Sequence, residues 1–106
     1  MANVQVSITY TSPTWNANPN SGTYPNDSGV TFTNNDSTND CKVWYQVGGA
    51  VVFNHTVTHG GGSFTVPATN QGISFAVTAT SVVAQPTLSH VIHVGSGLPA
   101  GKAPQY

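Results

Sequence analysis

The stretch CKVWYQVGG, Cys41 to Gly49, decides how the chain is read. Cys41, Val43, Tyr45 and Val47 fall on one parity; Lys42, Trp44 and Gln46 fall on the other. Successive side chains of a β-strand leave on opposite faces. The first set can therefore line a core only if the Trp44 indole leaves on the side of a lysine and a glutamine. The segment predicts a strand whose tryptophan is directed away from the core, toward solvent or a ligand. Gly48-Gly49 then supplies a tight hairpin into a second strand within AVVFNHTV, residues 50–57.

Working outward, period two recurs. NVQVSITY (3–10) alternates Val4, Val6, Ile8 and Tyr10 with Gln5, Ser7 and Thr9. GVTFTN (29–34) repeats it with Val30 and Phe32, and Gly60 to Gly62 turns the chain into SFTV, stopped by Pro67. GISFAVTAT (72–80) sends Ile73, Phe75, Val77 and Ala79 inward, and TLSHVIHV (87–94) comes last. No helical period of useful length is present. About seven short strands in such a chain predict an all-β, antiparallel β-sandwich, immunoglobulin-like or jelly-roll-like in outline. The Cys…Trp…Cys spacing of antibody domains is missing. Residues 1–94 read as a single sandwich domain and 95–106 as a flexible Gly/Pro-rich tail.

One long segment reads as ordered loop rather than strand. Thr11 to Ser28 holds three prolines and four asparagines with Trp15 and Tyr24. Connections of this length are uncommon and tend to be functional.

The charge inventory excludes partners. The chain has 106 residues, of which only 5% are charged, against roughly 25% in ordinary globular chains. It has no arginine and no glutamate, and its net charge is -1. Two lysines, Lys42 and Lys102, cannot match a phosphate backbone or an anionic bilayer, so neither nucleic-acid nor membrane binding is expected. No apolar run approaches the roughly 20 residues of a spanning helix, and no signal-peptide pattern opens the chain. Compartment is open; with Met1 as an added start residue, a secreted or cell-surface role is favoured. Cys41 is the single cysteine and reads as a buried, inert thiol.

Catalysis is not expected. Asp27, Asp36 and Asp40 are the only carboxylate side chains, and no nucleophile motif of the G-x-S-x-G kind accompanies the serines. His55, His59, His90 and His93 are candidate transition-metal ligands, but strand spacing separates them unless cross-strand partners bring them together. The Asn/Asp runs NDSG and NNDSTND offer oxygens of the type calcium takes, and equally make turns. The triplets at Asn26, Asn35 and Asn54 match the N-glycosylation pattern and are ascribed to chance. No cofactor is assigned, with calcium or a transition metal as the inorganic options.

The remaining chemistry is aromatic and amide. Sugars present apolar faces that stack on rings and hydroxyls that pair with amides, and a neutral glycan needs no countercharge. The leading expectation is a non-catalytic, lectin-like sandwich. It would stack a glycan on Trp15, Tyr24 or Trp44 and orient it with Asn16, Asn18, Asn20, Asn26 and Asp27. The first alternative is a structural, self-assembling or adhesion module, with Trp44, Thr31 and Thr33 as a subunit face and a homo-oligomer as the product. A metal-binding protein working through its histidines is the second.

Overall fold

The computed structural model describes residues 3–25 and 28–94. The predicted tail, 95–106, lies outside the described residues, as do Asn26 and Asp27. Among the described residues nine strands follow in order: β1 Asn3–Thr11, β2 Thr14–Asn18, β3 Ser21–Tyr24, β4 Ser28–Asn34, β5 Cys41–Val47, β6 Phe53–Val57, β7 Gly62–Thr69, β8 Ile73–Ala79 and β9 His90–Val94. They form a β-sandwich of two sheets, ordered β2-β1-β4-β7 and β3-β9-β8-β5-β6.

The expected sandwich is present with two differences. Most pairs are antiparallel, but β1 runs parallel to β4 and β3 runs parallel to β9. Both parallel pairs trace to the segment read as a loop, which contains β2 and β3. Its prolines sit between strands: Pro13 in the β1–β2 turn, Pro19 between β2 and β3, and Pro25 after β3. Proline interrupts a ladder but is tolerated at strand ends. TWNAN thus keeps its alternation and pairs with β1, placing Trp15 opposite Tyr10 and Ala17 opposite Ile8. The chain then crosses to the other sheet for β3 and returns for β4, which makes β1 and β4 parallel. From β4 onward the path is immunoglobulin-like: β4 and β7 adjoin in one sheet, and β9, β8 and β5 adjoin in the other.

The parity read from the sequence builds the core. Val4, Val6, Ile8, Val30, Phe32 and Val66 from the first sheet meet Cys41, Val43, Val57, Ile73, Phe75, Ile92 and Val94 from the second. Phe32 sits at the centre, edge-on to Phe75 at 5.0 Å and stacked on Phe64 at 5.3 Å. Such ring pairs add about 0.5–1.5 kcal/mol each beyond buried area.

One buried polar group ties the ends of three strands together. Asn34, wholly buried, donates its Nδ2 to the carbonyls of Asn39 (2.9 Å) and Val57 (3.0 Å), and its Oδ1 accepts the Asp36 N–H at 2.9 Å. The β6–β7 turn docks on the same loop, with Gly60 N–H donating to the Asp36 carbonyl and Gly61 N–H to that of Asn34. Gly60 and Gly61 take φ of 77° and 102°, a region that favours glycine. The β5–β6 hairpin opens with a turn closed from Ala50 N–H to the Val47 carbonyl. Its ladder resumes only at Phe53, opposite Tyr45, leaving Val51 and Val52 outside the strand.

Candidate functional site

Trp44 does point away from the core, but it does not reach solvent. Its side chain is only 5% exposed. Nε1 donates to Thr78 Oγ1 at 2.9 Å, and the Lys42 ammonium lies 5.1 Å from the ring centroid. Lys42 Nζ continues to the Val82 carbonyl at 2.7 Å, so the 80–89 connection between β8 and β9 returns over this outer face. Ala76, opposite Trp44 in the register, is buried with it. The indole is a second, smaller packing centre rather than a free stacking platform. Nor does it share a face with Thr31 and Thr33, which lie on β4 in the other sheet. The subunit face expected from those three residues does not exist.

The proposed sugar residues of the proline-bearing segment are separated by strand pleating. Trp15 is half-buried on the inner side of β2, 4.6 Å from the Tyr10 ring and packed against the core. Asn16 and Asn18 are exposed on the opposite face of the same strand, and Asn20 is exposed in the β2–β3 connection. Tyr24 is half-buried, its ring lying over Gly22. One ligand cannot stack on Trp15 while bonding to Asn16 and Asn18.

The histidines also stay apart. His55, exposed on β6, stacks on Phe64 at 4.3 Å. His59 faces Asp40, Nδ1 to Oδ1 at 2.6 Å. His90 lies 5.1 Å from Phe75, on the core side of β9, while His93 is opposite Thr23 on the other face. Among the described residues, no three His, Cys, Asp or Glu side chains converge as a metal would require. The Asn/Asp run before Cys41 is a hydrogen-bonded turn. Asp36 Oδ2 accepts the Thr38 and Asn39 backbone N–H groups, and these bonds hold its carboxyl below the usual range. The backbone N–H of His59, then its side chain, does the same for Asp40. Cys41 is buried, and desolvation, with smaller contributions from Asp40 and Asp36, pushes its thiol up to about 12.

Two surfaces emerge, the first taking in Asn18, Thr31 and Thr33 from the residues already expected to bind. The first is the outer face of the β2-β1-β4-β7 sheet, where cross-strand rows contain only hydroxyls and amides. Asn18, Ser7, Thr33 and Ser63 form one row; Gln5, Thr31 and Thr65 form another. Thr31 and Thr65 hydroxyls are 2.8 Å apart, and Asn3 Nδ2 donates to Thr31 Oγ1.

The second is the edge strand β6. Phe53, His55 and Val57 occupy its core-side parity, opposite Tyr45, Val43 and Cys41. The facing sheet ends at β7, whose Phe64 stacks on His55, and only Val57 is buried: Phe53 is 51% exposed, and Val51 beside it is 67% exposed. Tyr45, Phe64 and Phe53 form a chain of ring contacts at 5.6 and 5.7 Å along this rim. Edge strands are ordinarily protected by proline, charge or bulges. Here β2 is bracketed by Pro13 and Pro19, β3 is followed by Pro25, and β7 contains Pro67 opposite a register shift in β4. β6 has no proline, no charged residue and no register shift. The parity of FNHTV was a usable signal; the early end of the opposing sheet was not.

No protein-family model matches the sequence, and no curated protein matches it. Among the described residues no helix is long and apolar enough to cross a membrane.

Proposed function

We propose that the chain is a non-catalytic structural or adhesion module that joins a protein partner by strand addition at β6. The unguarded edge carries this reading. An unpaired strand without charge, proline or bulge templates a further strand, whose main-chain bonds supply affinity while alternate side chains supply selectivity. Phe53 and Val51 add apolar surface there that a partner strand would remove from water. The test is an amide-resolved NMR titration with extended peptides of alternating apolar and Thr residues. Shifts should concentrate on residues 53–57 and disappear in Asn54→Pro, checked for retained fold. Shifts confined to other strands would overturn the reading.

The uncharged face of the β2-β1-β4-β7 sheet favours a second reading, binding of a neutral glycan. Each bond between neutral groups contributes only about 0.5–1.5 kcal/mol net, so many shallow contacts along a polymer suit this face better than one small sugar. Depletion of the protein from solution by insoluble neutral polysaccharide, lost in Thr31→Lys, tests it. Equal depletion of the variant removes it.

A further inference from the structure

We infer that the strand added at β6 is the β6 of a second copy, paired antiparallel about a two-fold axis through His55. This rests on the strand-addition reading and names its partner. A two-fold pairing brings identical patches together, so the patch must complement itself. Centred on His55, the core-side row Phe53, His55, Val57 meets Val57, His55 and Phe53 of the second copy. The outer row Asn54, Thr56 meets Thr56 and Asn54, amide against hydroxyl. No charge lies on the strand, so no like charges oppose one another. An axis perpendicular to the sheets keeps both core-side faces on one side. Phe53, which the short facing sheet leaves half exposed, then packs against Val57 of the second copy, and the two His55 rings, each already stacked on its own Phe64, lie side by side.

His55 Nδ1 contacts the Thr56 carbonyl at 2.9 Å. A carbonyl oxygen has two lone pairs, so this contact does not prevent a ladder bond.

Only an axis at residue 55 sets that side chain against itself, and this makes a charge-swap experiment decisive. Light scattering of the whole chain should show the mass rising from 11.0 kDa toward twice that value as concentration increases to about 1 mM. His55→Asp and His55→Lys should each stay monomeric over this range, because each opposes two like charges. An equimolar mixture should recover the dimer. Circular dichroism verifies that both variants are folded. A parent chain that stays monomeric overturns the second-copy inference alone; peptide-induced shifts at residues 53–57 would then still support strand addition. Single variants that dimerise as well as the parent overturn the second-copy inference, since the contact would then lie elsewhere, and the peptide titration then decides strand addition by itself. A mixture that fails to recover while each variant is monomeric overturns the two-fold register.

Discussion

Replacing Asn34 by alanine should be among the most damaging polar substitutions in this domain. The side chain is wholly buried and makes three hydrogen bonds, to Asn39, Val57 and Asp36. Each such bond contributes about 0.5–1.5 kcal/mol net, while a buried partner left without its bond costs about 1–3 kcal/mol. The Val57 carbonyl is that buried partner, since its bond to Asn34 is shielded on both sides, whereas the Asn39 and Asp36 groups are only part-buried. One full penalty and two partly compensated losses come to about 3 kcal/mol. At roughly 4–8 °C per kcal/mol for a domain of this size, the midpoint should fall by about 12–24 °C. The neighbouring Asn35 is exposed and bonds only Ser7 Oγ through its side chain, so Asn35→Ala should stay within about 0.5 kcal/mol of the parent. Urea unfolding of both variants, with unchanged slope, provides the comparison. An Asn34→Ala stability indistinguishable from that of Asn35→Ala would refute the role given to the buried amide.

Three further outcomes follow from the same contacts. Trp44→Ala should cost about 3–5 kcal/mol in unfolding experiments, as a buried ring does, and native-state acrylamide should quench Trp15 far more than Trp44. The Cys41 thiol should resist alkylation at pH 8 except at the rate of unfolding. Its folded value near 12 exceeds the ordinary 9.0, so its contribution to stability is whole below pH 9 and is lost as pH climbs toward 12 in alkaline unfolding series. Asp36 and Asp40 have folded values below 3.8, so their contribution is present above that pH and is lost as pH falls further. Unfolding measured on either side of about pH 3 should show a shallower acid loss in Asp36→Asn.

The sheet faces were legible because parity is local. Val43 and Trp44 could be assigned to opposite faces from the identities of their neighbours alone, and the core follows those assignments on the long strands apart from Ala79, which is exposed at the end of β8. The β2 and β3 strands were hidden by their prolines. Averaged over the segment, Pro13, Pro19 and Pro25 suggest a loop, but their positions between short alternating runs specify turns. The same pleating divides the residues expected at the sugar site. Trp15 and Asn16 are adjacent in sequence and therefore on opposite faces, a separation already implied once residues 14–18 are read as a strand.

What parity cannot supply is cover. Trp44 and Phe53 illustrate the difference in opposite directions. Trp44 lies on an outer face and is buried, because the 80–89 connection returns across it and Lys42 fastens to Val82. Phe53 lies on a core-side face and is half exposed, because the facing sheet stops at β7. Both results depend on where another part of the chain ends, which no periodicity near residue 44 or 53 encodes. Phe53, unlike Trp44, is left without that cover at a strand edge that proline and charge also leave open. Phe53 gains a cross-strand contact with Tyr45 but leaves half its surface in water, whereas a strand that continues into a neighbour would cover the rest. The pattern Phe53-His55-Val57 is therefore that of an interior strand placed at an edge, and this mismatch is the physical reason to look for association there.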